Sequence, residues 1–161
     1  SDLIYFVRNV EIIAWTTLFF GFILYFSDQS KTKKNISKNL NLKSIIFIGI
    51  FQILALIPGV SRAGITITAA RFLNFNRVDS TKISFLLSIP ALIGASSLGI
   101  TDALKETLEI SYLSIIAVVL SFLFSFITVK YFLKYVNNFS LNIFVIYRVF
   151  LGIILLLIIY L

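Results

Sequence analysis

The stretch that most constrains this chain is Pro58-Gly59-Val60-Ser61-Arg62-Ala63-Gly64-Ile65-Thr66, set between apolar segments at residues 44–57 and 65–75. Neither segment is long enough to cross a bilayer. A hydrocarbon core about 30 Å thick needs roughly 20 helical residues. Residues 44–57 reach only about 21 Å at about 1.5 Å per residue. The spacing predicts a helix that enters the membrane, breaks at Pro58-Gly59 and returns through a second short helix, a re-entrant pair over residues 44–75. Backbone freed from a helix at that depth persists only where protein or a water-filled cavity covers it. A charged side chain there marks a pathway or a site.

The rest of the chain supports a membrane setting. Of its 161 residues 59% are hydrophobic and only 13% charged, which places it among all-α polytopic integral membrane proteins. Residues 10–26, 83–100, 111–133 and 141–161 are apolar runs long enough to span, with Pro90 expected to kink the second. Polar stretches at 27–43, 76–82, 101–110 and 134–140 read as connections. We read residues 1–161 as a single transmembrane domain. The start at Ser1-Asp2, with no methionine and no signal pattern, reads as part of a longer chain.

The net charge of +7 does not point to nucleic acid, because the basic residues sit in the breaks between apolar runs. With residues 27–43 in the cytoplasm, a re-entrant 44–75 returns Arg71, Arg77 and Lys82 to the same side. Lys130 and Lys134 then join them, so ten of the fourteen basic residues lie inside. Arg8 and Lys105 lie outside, beside the acidic Asp102, Glu106 and Glu109, and Arg62 and Arg148 lie within the membrane. A crossing 44–75 would swap the later loops and weaken this bias. The hairpin tip is therefore expected past the midplane, toward the outer face.

The chemistry legible at the tip is anion recognition. Peptide N–H groups at the start of the returning helix are unpaired, and the helix dipole favours an anion there. Arg62 offers a fork of donors suited to phosphate, Ser61 and Thr66 add hydroxyls, and Gly59 and Gly64 permit close approach. The plain alternative is an inter-helix loop with a snorkelling arginine. Arg148, near Tyr147 and Gly152, is expected to converge with Arg62 on one multiply charged anion, to pair with a carboxylate elsewhere, or to snorkel. Ser84 and Ser88 share a helix face and read as packing residues. Gln52 is expected to hydrogen-bond the irregular backbone. Without cysteine or histidine the chain has no thiolate and lacks the commonest general base. Its acidic residues lie at ends and in loops, none close to Arg62 in sequence, so no metal ligands are assigned.

The motif Pro58, Gly59, Ser61, Arg62, Gly64 and Thr66, with the SFLLSIPALIGAS run and the later FVIYRVFLG, resembles the undecaprenyl-diphosphatase (bacitracin-resistance) family, most strongly over residues 44–99. The family's pattern carries serine where this chain has Ala63; Ser61 and Arg62 are kept. The resemblance implies a membrane hydrolase that removes one phosphate from undecaprenyl diphosphate and so recycles the lipid carrier of cell-wall synthesis. It implies an inverted-repeat architecture containing re-entrant pairs, in the bacterial cell (inner) membrane, with the active site toward the outer face. Ser61, Arg62 and Thr66 are the implied catalytic residues, and Gly59, Gly64 and Arg148 the substrate-binding ones. The nucleophile is Ser61 or a group from the family's N-terminal half. That half is absent here, and its glutamates and histidine are the expected acid/base groups and ligands of a divalent cation, Mg²⁺. Whether the chain is active or inactive alone stays open. A homodimer is a further expectation. Two other classes stay open: a transporter or flippase for an anionic lipid, since broken helices aimed at an anion are a transporter design, and a membrane subunit that only binds lipid.

Overall fold

The computed structural model describes residues 10–103 and 112–161, without the side chains of residues 101–103 and 113. The expectations for Arg8, Lys105, Glu106 and Glu109, and for the side chain of Asp102, lie outside the described residues. Among those residues the chain is helical and without strands: α1 (Val10–Asp28), α2 (Ile36–Asn39), α3 (Leu42–Ile53) with a 3-10 turn (Leu54–Leu56), α4 (Arg62–Phe72), α5 (Arg77–Ala103), α6 (Tyr112–Asn138) and α7 (Asn142–Tyr160). Four of these, α1, α5, α6 and α7, are long and apolar enough to cross a membrane. The protein is an all-α polytopic membrane protein.

Several boundaries differ from the sequence reading. Residues 77–82, expected in a connecting loop, form the first turns of α5. Asn76 caps them: its Oδ1 accepts from the Asp79 backbone N–H at 2.7 Å, and its Nδ2 donates to Asp79 Oδ2 at 2.8 Å. This reciprocal cap satisfies the unpaired end of a helix, so polar residues there extend it. Similarly, α6 continues through Lys134 to Asn138. Helix α5 runs unbroken on both sides of Pro90.

Helices α1 and α7 lie antiparallel. Leu141 meets Asp28 at one end and Tyr160 hydrogen-bonds Glu11 at the other. Between them, a Cβ on Gly152 would fall 2.6 Å from Leu18 Cγ and 3.3 Å from the Ala14 carbonyl. Only a glycine lets the two backbones approach this closely, as at other membrane helix contacts. The α3–α4 pair folds back on itself. Backbone N–H groups of Lys33 and Lys34 donate to the Asn74 carbonyl, and that of Asn76 donates to Lys34, so the two ends of the hairpin are tied together. Ile48, Ala69, Ala70, Phe75 and Ile83 form one core between α3, α4 and α5. Leu24, Ile67, Val136, Leu141 and Val145 form a second between α1, α4, α6 and α7. Helix α4 thus stands between both cores, and its N-terminus is held in the middle of the bundle.

Candidate functional site

The break is a tight turn. The Val60 N–H donates to the Ile57 carbonyl at 3.1 Å, with Pro58 and Gly59 at the two central positions and Gly59 at φ 86°. A Pro-Gly pair suits this turn, since proline presets the first angle and glycine accepts the positive second. Space also demands glycine: an added Cβ would run into the Thr16 hydroxyl and approach the Ile13 carbonyl to 2.6 Å.

The turn exposes carbonyls that no helix satisfies. Neighbouring helices satisfy them. Thr16 Oγ1 donates to the Pro58 carbonyl at 2.6 Å and Thr17 Oγ1 to the Gly59 carbonyl at 3.3 Å. Arg148 Nη2 donates to the same Gly59 carbonyl at 2.7 Å. The expected helper, Gln52, does not take this part: its Oε1 is buried without a partner. It sits back along α3, whereas α1 and α7 pass directly beside the turn. The turn lies level with Thr16 and Thr17, roughly 17 Å along α1 from Asp28 at about 1.5 Å per residue.

Ser61 caps α4, its Oγ accepting from the Gly64 N–H at 3.1 Å. The first N–H groups that follow have no intrahelical partner. Beside them opens a cavity of about 460 Å³. Its polar end is Gly59, Ser61, Gly64 and Arg148, and its apolar wall includes Ile67, Phe132 and Phe144. Arg148 is only 7% exposed, yet no carboxylate among the described residues forms an ion pair with it. Its Nη1 lies so close to Gly64 that a Cβ there would sit 2.9 Å away. A buried guanidinium, unpaired helix N–H groups and a hydroxyl around one cavity make a site for an anion, and the apolar wall continues it for an apolar tail.

The structure brings together Gly59, Ser61, Gly64 and Arg148. Arg62 and Thr66 do not line this cavity. Helix phase explains the split: at about 100° per residue, Arg62 and Thr66 share a different face of α4 from Gly64 and Ile67. Thr66 Oγ1 meets Ser84 Oγ at 2.7 Å and donates to the Arg62 carbonyl at 2.9 Å. Ser84 is therefore a packing partner, and Ser88 donates to its own helix at Phe85. Arg62 is half-buried and has no ion-pair partner among the described residues. Arg62 is the first residue of α4, and Arg148 reaches the same helix end from α7.

Sequence reasoning missed Thr16, Thr17 and a cluster at the lysine-rich end. There Asp28, with its side chain fully buried, accepts from Arg77 Nε at 2.7 Å and Nη2 at 2.9 Å, and from the Leu141 backbone N–H at 3.2 Å. Hydroxyls about two helical turns inside an apolar run were the available signal for Thr16 and Thr17. Among the described residues no three Asp, Glu, His or Cys gather into a metal cluster. The described residues around the cavity offer no carboxylate or imidazole to a divalent cation.

The family model described as bacitracin resistance protein BacA matches residues 2–154. A protein of Pelagibacter ubique named undecaprenyl-diphosphatase is 64% identical over 153 residues, which cover 95% of this chain and 60% of that relative. Proteins of the same name from Elusimicrobium minutum and Jannaschia sp. are 41% and 38% identical, with 55% and 58% of their lengths covered. The chain thus spans less than two thirds of the length of these curated relatives. With its break, its buried arginine and this match along nearly its whole length, the chain belongs to the bacitracin resistance protein BacA family.

Proposed function

We propose that the protein carrying this chain hydrolyses undecaprenyl diphosphate to undecaprenyl phosphate and inorganic phosphate. The observation that carries the reading is the buried, carboxylate-free Arg148 at the N-terminus of α4, beside a cavity that is polar at that end and apolar beyond it. In this reading the diphosphate lies across the α4 N-terminus, between Arg148 on one flank and Arg62 on the other. The N–H groups and both guanidiniums stabilise charge as the terminal P–O–P bond breaks and oxygen from water joins the released phosphate. Ser61 stands at that position as nucleophile or as a donor to the phosphoryl oxygen. Thr66 positions the helix end through Ser84. Gly59 and Gly64 leave room for the ligand, and the isoprenoid begins along Ile67, Phe132 and Phe144.

The setting is part of the proposal. The α3–α4 hairpin is re-entrant, with its tip near mid-membrane and the lysine-rich end in the cytoplasm, so the site opens toward the outer face of a bacterial inner membrane. The hairpin belongs to one of two inverted repeats, and a homodimer is the proposed assembly. The acid/base groups and the ligands of Mg²⁺ are placed in the stretch of the relatives that this chain does not span. The test is phosphate release from a polyprenyl diphosphate in detergent, with this chain compared with the full-length protein, with and without Mg²⁺. Release by the metal-supplied full-length protein alone is the expected result. No release from either, with lipid movement in a flipping assay, would replace the hydrolase by a transporter.

A further inference from the structure

The lysine-rich end of the bundle holds a second cavity, of about 450 Å³, distinct from the one at the hairpin tip. Ser30, Thr32, Arg71, Asn76, Arg77 and Asn137 build its wall. Two guanidiniums face one carboxylate here, since Arg71 and Arg77 both pair with Asp28. Asp28 is committed inward, to Arg77 and to the Leu141 N–H. Arg71 is 2% exposed and its terminal nitrogens donate only to neutral groups: the carbonyls of Asp28, Ser30 and Phe75 and the Thr32 hydroxyl. Its Nε is buried without a hydrogen-bond partner. The wall therefore carries one more positive charge than its carboxylate offsets, at a depth where an uncompensated charge is costly. Arg77 adds a free group, because only its Nε and Nη2 are used and its side chain is 37% exposed.

Position then selects the ligand. Asp28, Arg77 and Asn137 stand at or next to the ends of three spanning helices, so the cavity sits at headgroup level. Lys130 and Lys134 lie seven and three residues before Asn137, on neighbouring helical positions. Basic pockets between transmembrane helices at such a face suit phosphate headgroups. We propose that this cavity binds a phosphate group, that of an anionic phospholipid in the leaflet at the lysine-rich face, with Arg77 and the Thr32 and Asn137 side chains as its donors. The site is independent of the reaction proposed above.

The test uses the full-length protein in nanodiscs, with phosphatidylglycerol titrated into phosphatidylcholine and retained lipid counted by native mass spectrometry. Phosphatidylglycerol should be retained over phosphatidylcholine. Asn137→Glu should lower that preference about fivefold, and Asn137→Lys should raise it by a similar factor, the effect of one charge near a membrane surface. The opposite signs separate binding from misfolding, which would not raise it. Equal retention of the two lipids, or a preference that neither variant moves, would overturn the proposal. In a second arm, millimolar inorganic phosphate is added to nanodiscs of phosphatidylcholine alone. Thermal stabilisation there that Asn137→Glu abolishes would support the phosphate site with a soluble anion as its source.

Discussion

Two arginines are buried among the described residues, and they are used in opposite ways. Arg71 makes four hydrogen bonds to neutral groups and lies 3.6 Å from Asp28 Oδ1. Every terminal nitrogen is engaged, and the result ties the end of α1 to the end of the hairpin. Arg148 makes one hydrogen bond, to the Gly59 carbonyl, and otherwise faces a cavity with no carboxylate near it. A saturated arginine holds structure. An arginine that keeps donors free at a cavity and a helix N-terminus holds an anion. Burial alone, 2% against 7% exposure, does not separate them; the number of committed donors does.

The comparison can be broken at the structural end first. Asp28→Ala leaves Arg77 and the Leu141 N–H without their acceptor, and breaking a buried ion pair from one side costs about 3–5 kcal/mol. Thermal unfolding in detergent should show this as the largest stability loss among these substitutions. An unchanged midpoint would mean that the cluster does not tie the helices together.

At the tip the effects are smaller and local. Gly59→Ala forces a side chain into a positive-φ position and against Thr16, so it should destabilise by about 1–3 kcal/mol and slow phosphate release. Ser61→Ala removes the helix cap, a loss of about 1 kcal/mol in unfolding experiments. If Ser61 also touches the phosphate, the fall in phosphate release will exceed that figure. Equal losses in stability and rate would limit it to capping.

The two arginines also show how far the sequence could be read. The break was legible because two apolar segments too short to span flank a Pro-Gly pair. Arg148 stood out as a charge inside a spanning run. The Asp28 cluster was not legible, since Asp28 and Arg77 read as ordinary loop charges 49 residues apart and the third partner is a backbone N–H, that of Leu141, 113 residues away. The division of the motif was hidden for a subtler reason. Residues of one motif fall on different faces once they enter a helix, so Ser61 and Gly64 line the cavity while Arg62 and Thr66 are not among its lining residues and Thr66 meets Ser84. The motif marks the helix end; the helical phase distributes its side chains.

The most direct measurement is phosphate release by Arg148→Gln in the full-length protein, with Arg71→Gln and the unfolding temperature of both as controls. If Arg148 holds the anion, its variant should stay folded and lose about 100-fold or more in rate, in line with the removal of one donor from a developing charge. Arg71→Gln should instead lower the unfolding temperature, by less than Asp28→Ala does. An Arg148→Gln protein that keeps most of its activity would contradict the assignment of the anion to this end of α4.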